Sequence, residues 1–220
     1  MKTAILVDGG FYRKRATYLW GELSPEDRAK ELFDYCMAHI NDGGKYEKRE
    51  LYRIFYYDCP PLNKKVFNPL LNRTIDFGKS DTYNWTLSFF EELKKKRKVA
   101  LRYGELSENT AGFNLKPEVT KRLLLGKISL SDLTENDLYF TVSQKGVDMR
   151  IGIDIASMAY KKQVDQIVLI AGDSDFVPAS KMARREGIDF ILDPMWATIK
   201  PNLHEHIDGL KSQTGNGKTK

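Results

Sequence analysis

Two acids one residue apart follow a short apolar run late in the chain, where Gln166 to Phe176 reads QIVLIAGDSDF. Ile167 to Ala171 has the length and composition of a strand buried on both faces of a parallel sheet. Gly172 lets the backbone turn, and Asp173 and Asp175 then stand at the strand's carboxyl end, with Ser174 between them. Open α/β sheets hold their ligands in the crevice beyond such ends. The arrangement recurs at the start of the chain: Lys2 to Val7, KTAILV, is a second apolar run, closed by Asp8-Gly9-Gly10. A further acid, Asp148, follows Gln144-Lys145-Gly146-Val147 in the first turn of a helix expected to run to about Lys162.

If the strands before Asp8 and before Asp173 are neighbours, Asp8, Asp173 and Asp175 converge at one sheet edge, and Asp148 can join them from its helix start. Like charges at that range repel unless a cation neutralises them. Hard oxygen donors of this kind suit Mg²⁺ or Mn²⁺. Two such ions about 3.5–4 Å apart can activate a water and stabilise the leaving oxygen in phosphodiester hydrolysis. Each acid also has a plainer reading, a solvated turn for Asp173 and Asp175 and a favourable helix-dipole position for Asp148. Asp154 lies six residues beyond Asp148, about 600° of helical rotation, so it does not share that face and is a separate candidate.

The elements that must position these acids alternate. Phe11 to Leu23 is expected to be a helix with Arg13, Lys14 and Arg15 in its first turns, cations that either meet phosphate or form a solvated basic face. Ser24-Pro25-Glu26-Asp27 starts a helix to about Ile40, with Ser24 as cap, Pro25 in the first turn and acids at the positive end of the dipole. Leu51 to Tyr57 is a β-branched and aromatic strand, ended by Asp58-Cys59-Pro60-Pro61. Asp58 is one more acid at a strand end, read as a substrate-side or structural residue. Lys64 to Thr82 shows no clear period. Tyr83 to Lys96 reads as a helix, and Lys94 to Lys98 is a basic run that suits either phosphates or a solvated helix end. Val99 to Tyr103 is an expected strand. Ser107 to Asn136 reads as an insertion or a lid, within a segment near 104–137. Leu138 to Val142 is a short strand, Val177 to Glu186 a helix, Ile188 to Leu192 a strand and Leu203 to Leu210 a last short helix. His204 and His206 read as surface residues. Residues 1–210 then form one domain and 211–220 a disordered tail.

Strands alternating with helices predict an α/β sandwich around a mainly parallel sheet. Length and composition agree. The chain has 220 residues, 41% hydrophobic and 30% charged, enough for one buried core under a solvated surface. A net charge of +5 favours acidic partners, nucleic acid above all. Cys36 and Cys59 lack metal-ligand spacing and read as reduced thiols. With no membrane-span-length apolar run and no signal-peptide pattern, the expectation is a cytoplasmic protein with no membrane partner. Homo-oligomerisation is left open.

Asp8-Gly9-Gly10, Lys145-Gly146-Val147-Asp148 and Gly172-Asp173-Ser174-Asp175-Phe176, in this order, resemble the NYN-domain family of the PIN-like nuclease superfamily, in its LabA-like branch. The resemblance covers Met1 to about Leu192. It implies a PIN-like (Rossmannoid) α/β/α fold and metal-dependent RNA cleavage, with Asp8, Asp148, Asp173 and Asp175 as the acidic quartet that holds Mg²⁺ or Mn²⁺ and does the catalysis. Gly9, Gly10, Arg13, Lys145 and Ser174 are the candidates for substrate contact. Where many members carry an Asn shortly after the first Asp, this chain has Gly9-Gly10-Phe11-Tyr12. The function expected is an endoribonuclease acting on single-stranded or structured RNA. One alternative is an RNA-binding or regulatory module with little turnover. Another is a small phosphate-ester phosphatase with an aspartyl nucleophile, which calls for a second acid two residues after the first, where Gly10 stands.

Overall fold

The structure is a computed structural model and describes residues 1–42 and 48–214. β1 (Lys2–Asp8) leads into α1 (Gly9–Trp20), α2 (Pro25–Asn41) and β2 (Glu50–Asp58). A small hairpin of β3 (Lys65–Asn68) and β4 (Arg73–Asp76) precedes α3 (Asp81–Lys94) and β5 (Val99–Tyr103). A longer hairpin of β6 (Glu105–Leu115) and β7 (Leu138–Lys145) carries α4 (Pro117–Leu124) between its strands. Then come α5 (Val147–Tyr160), β8 (Gln166–Ile170), α6 (Val177–Arg185), β9 (Asp189–Asp193), α7 (Pro201–His204) and β10 (Gly209–Leu210).

Six strands form one parallel sheet in the order β10-β9-β8-β1-β2-β5. The two continuous apolar runs become its centre, β1 beside β8, because only a strand covered on both faces tolerates no polar alternation. Ala4, Leu6, Ile167 and Leu169 face Ile151, Ile155 and Met158 of α5 and Ala183 of α6. Ile5, Val7, Val168 and Ile170 belong to the opposite layer, with Tyr12 and Ala16 of α1, Leu32 and Cys36 of α2 and Phe89 and Phe90 of α3. Each Val, Leu, Ile, Phe or Met among them contributes about 1.5–3 kcal/mol of burial free energy. The result is the α/β/α sandwich that the alternation of elements predicts, consistent with the PIN-like type that the resemblance implies.

The topology creates the crevice. From β1 the chain builds outward through β2 to β5, returns along α5, and then builds outward on the other side through β8 and β9. The carboxyl ends of β1 and β8 therefore lead apart in sequence while lying side by side in space, which is where open sheets bind ligands.

Several local expectations change. The first helix starts at Gly9 rather than Phe11, because Asp8 is its N-cap, accepting from the Phe11 N–H at 3.1 Å. Ser24 caps α2 as expected, its side chain accepting from the Asp27 N–H. Lys64 to Thr82 contains the β3–β4 hairpin and a 3-10 turn. The segment near 104–137, expected as an insertion or a lid, begins as an antiparallel strand pair outside the main sheet. It is fastened by Phe140 stacked on Phe77 at 4.1 Å, with Phe113 edge-on to Phe140. Leu203 to Leu210 is not one helix: α7 stops at His204 and β10 pairs with β9, since the Asp208 carboxylate accepts from the Phe190 N–H and draws the chain back to the sheet. The tail expected from 211 is held at first. Lys211 pairs with Asp42, and Gln213 donates to the Tyr35 hydroxyl and to Asp42. Residues 215–220 lie outside the described residues. Among the described residues no helix is long and apolar enough to cross a membrane.

Candidate active site

Asp8 ends β1, and its carboxylate is fixed by its own cap bond to the Phe11 N–H. Burial raises its pKa to about 6, with further upward pushes from Asp148 and Asp58. Asp148 lies in the first turn of α5, as expected, and its pKa is also raised, by burial and then by Asp173 and Asp175. Asp173 and Asp175 follow β8 on the same edge and are exposed; the Asp173 carboxylate accepts from the Asp175 N–H at 3.1 Å. Four acids from three distant stretches thus lie within electrostatic reach of one another at the crevice.

A cleft of about 450 Å³ opens there, lined by Asp8, Phe11, Lys14, Gly172, Asp173, Ala197 and Lys200. Close packing builds its floor. A Cβ on Gly172 would overlap the Phe11 ring, so the turn after β8 comes this near to α1 only because residue 172 has no side chain. A Cβ on Gly9 would lie 2.5 Å from the Tyr56 ring and 2.7 Å from the Tyr57 carbonyl, which makes Gly9 a packing residue rather than a substrate contact. A Cβ on Gly10 would meet only Asp8 Oδ1, at 3.5 Å, so this glycine does leave room beside the acid.

Other candidates are placed elsewhere. Arg13 is committed to structure: Nη2 pairs with buried Asp58 at 2.9 Å and Nη1 donates to Thr86 at 3.3 Å. Asp58 also accepts from the Tyr56 hydroxyl and the Cys59 N–H, so it is a structural acid, one whose burial still pushes its pKa up. Asp154 accepts from Tyr57 at 2.8 Å and pairs with Arg102 at 3.2 Å, away from the quartet. Lys145 is exposed at the end of β7, three residues before Asp148. Ser174 lies in the 3-10 turn before α6, and its side chain is outside the described parts. In the basic run, Lys94 pairs with Glu91, Lys95 with Glu92, and Lys98 donates to the Leu51 carbonyl, which fits the solvated helix end.

Sequence reasoning missed Lys200 and the loop before it. They follow β9, the strand next to β8, and only the strand order reveals that this loop overhangs the acids.

The donor set fits a hard divalent cation in chemistry, since burial and then neighbouring acids disfavour the ionised forms of Asp8 and Asp148, and a cation can offset that cost. Asp8, Asp148, Asp173 and Asp175 would hold it. As the side chains stand, no three His, Cys, Asp or Glu among the described residues are grouped closely enough to surround an ion.

The family model of the NYN domain matches residues 84–200, more than half of the chain. The chain belongs to the NYN domain family. This is a PIN-like nuclease family, so membership gives the protein a nuclease-type, RNA-related function. The matched part of this NYN domain holds Asp148, Asp173, Asp175 and Lys200, while Asp8 lies before it. No curated protein matches the chain. Among solved structures, a protein of unknown function from Vibrio parahaemolyticus is similar, with a TM-score of 0.48 and 13% identity over 95% of this chain and 90% of that one.

Proposed function

We propose that this NYN domain is a metal-dependent endoribonuclease whose centre is the cleft at the ends of β1 and β8. The observation that carries the reading is the convergence of Asp8, Asp148, Asp173 and Asp175 at the sheet-edge crevice, where burial and then neighbouring acids raise the pKa of Asp8 and Asp148. A bound Mg²⁺ or Mn²⁺ would supply an activated water and charge stabilisation for phosphodiester hydrolysis. The chain's own residues do the rest. Asp8, Asp148, Asp173 and Asp175 present the oxygen donors. The Phe11 N–H holds Asp8, and the Asp175 N–H holds Asp173, so two of the four carboxylates are oriented before any substrate arrives. Lys14 and Lys200 line the same cleft and offer cations to the substrate's phosphates.

The test is cleavage of labelled RNA in Mg²⁺, Mn²⁺ or EDTA by wild type and Asp173→Asn. Metal-dependent cutting should fall at least about a hundredfold in the variant. Equal cutting by both proteins would remove Asp173 from the site. A second reading, RNA binding without turnover, draws on the absence of an ion-ready trio among the described residues. Binding by both proteins with no cutting by either would favour it.

A further inference from the structure

The loop after β9 carries an unusual pair. Met195 and Trp196 are consecutive non-glycine residues at φ 47° and 58°, the left-handed region that costs a side-chain-bearing residue free energy. Such strain persists only where surrounding contacts over-determine it, and it concentrates at functional sites. Here the contacts are specific. The Met195 N–H donates to buried Asp193 at 2.7 Å, and the Met195 carbonyl accepts from Arg15 Nη2 at 2.6 Å. The Trp196 N–H donates to Ser212 at 3.0 Å, and the Ala197 N–H to the Pro194 carbonyl at 2.8 Å. Asp193 is itself anchored by Tyr35 and His39.

This clamp holds Met195 inside the core and turns Trp196 out, 51% exposed. The other two tryptophans behave differently. Trp20 packs on Tyr35, and Trp85 stacks on Phe89 and donates to the Leu23 carbonyl. Trp196 has no aromatic partner among the described residues. Its chain neighbour Ala197 lines the acidic cleft, together with Lys14 and Lys200. The clamped loop therefore presents an exposed aromatic ring one residue from the wall of the cleft that Asp8, Asp173, Lys14 and Lys200 line.

We propose that Trp196 is a stacking platform for one unstacked base of a single-stranded RNA whose backbone lies across Asp8 and Asp173. The assignment rests on the ribonuclease reading of the cleft and makes its substrate a strand with bases free to leave the stack. A base in a regular duplex has both faces covered and cannot use the platform, whereas a single-stranded base offers a face to any aromatic ring. Holding the ring beforehand spares the entropy of ordering it on binding.

The experiment uses the full chain in an Asp173→Asn background with Mn²⁺, so that the probe survives. Binding of a short single-stranded RNA is followed by anisotropy and by tryptophan emission, with the same sequence as a duplex for comparison. The single strand should quench emission and the duplex should not. Trp196→Ala should abolish the quench and weaken single-strand binding about tenfold or more, while Trp196→Phe keeps most of the affinity. Trp196→Gly should raise the melting temperature, since glycine adopts this φ freely, yet bind as weakly as the alanine variant. Unchanged affinity and quench in Trp196→Ala would overturn the proposal. So would equal losses in the alanine and phenylalanine variants with lowered melting temperatures, which mark a structural ring. Quenching by RNA that the wild type never cuts would retire the nuclease chemistry and leave the stack standing. Cutting by the wild type with full affinity in Trp196→Ala would do the reverse.

Discussion

At the residue scale, Asp8 serves two ends that conflict in energy. It caps α1, which stabilises the fold, and it sits partly buried at the crevice, where desolvation first and then Asp148 and Asp58 raise its pKa from 3.8 to about 6. A folded pKa above the unfolded one means that the folded state binds the proton more tightly. That contribution is fully present below about pH 4 and is lost as the pH rises through about 6. Ionised Asp8 then costs the metal-free fold on the order of 3 kcal/mol at neutral pH. Asp8→Asn keeps an acceptor for the Phe11 N–H and removes the charge. It should stabilise the protein in EDTA at pH 7–8 and lose that advantage towards pH 4, as read by urea denaturation across pH. A gap that does not vary with pH would contradict the account. Arg13 gives the complementary case. Arg13→Ala leaves Asp58 buried without its cation and should cost about 2–3 kcal/mol, discounted because Arg13 is 26% exposed. A residue serving only as a phosphate contact would leave stability unchanged in the same melts.

At the scale of elements, the site depends on how closely α1 and the turn after β8 approach across the crevice. Gly172→Ala would drive a methyl group into the Phe11 ring and should cost about 1–3 kcal/mol, while adding Phe11→Leu should recover part of it. Additive losses in thermal melts would show that the two positions do not share the contact. The same elements explain what could be read in advance. β1 and β8 were legible because a strand covered on both faces needs a continuous apolar run, and an acid just after such a run falls at the sheet edge whatever the strand order. Asp148 was legible from its helix start. The β3–β4 hairpin was not, because its strands have four residues each and are half-exposed, too little for a period to show. Neither β10, with two residues, nor the commitment of Arg13 to Asp58 leaves a local trace. Lys200 and Trp196 belong to an irregular loop whose importance comes from β9 lying beside β8, a fact of topology and not of local pattern.

At the scale of the whole molecule, the insertion between β6 and β7 should be separable from the nuclease body. The cleft is built from the ends of β1 and β8 and the loop after β9, and the hairpin meets the site only at its base, where β7 leads into Asp148, whereas residues 116–137 lie beyond the opposite end of its strands. Leu115 and Leu138 face each other across its strands, and the Lys116 N–H donates to the Asp137 carbonyl at 2.9 Å, so the chain between them closes on itself. α4 buries only Val119, while Leu124, Leu125 and Leu130 stay exposed. Replacing residues 116–137 by Asn-Gly gives β6 and β7 a two-residue turn suited to their twist. The shortened protein should melt within about 4 °C of the full chain, roughly 1 kcal/mol for a domain of this size. It should also cut short single-stranded RNA at the full chain's rate, because no residue of the acidic cleft is touched. A much larger drop in melting temperature would make the segment part of the core. Loss of cutting with an intact fold would mean that the substrate path runs from the acids out along the hairpin, whose β7 ends three residues before Asp148.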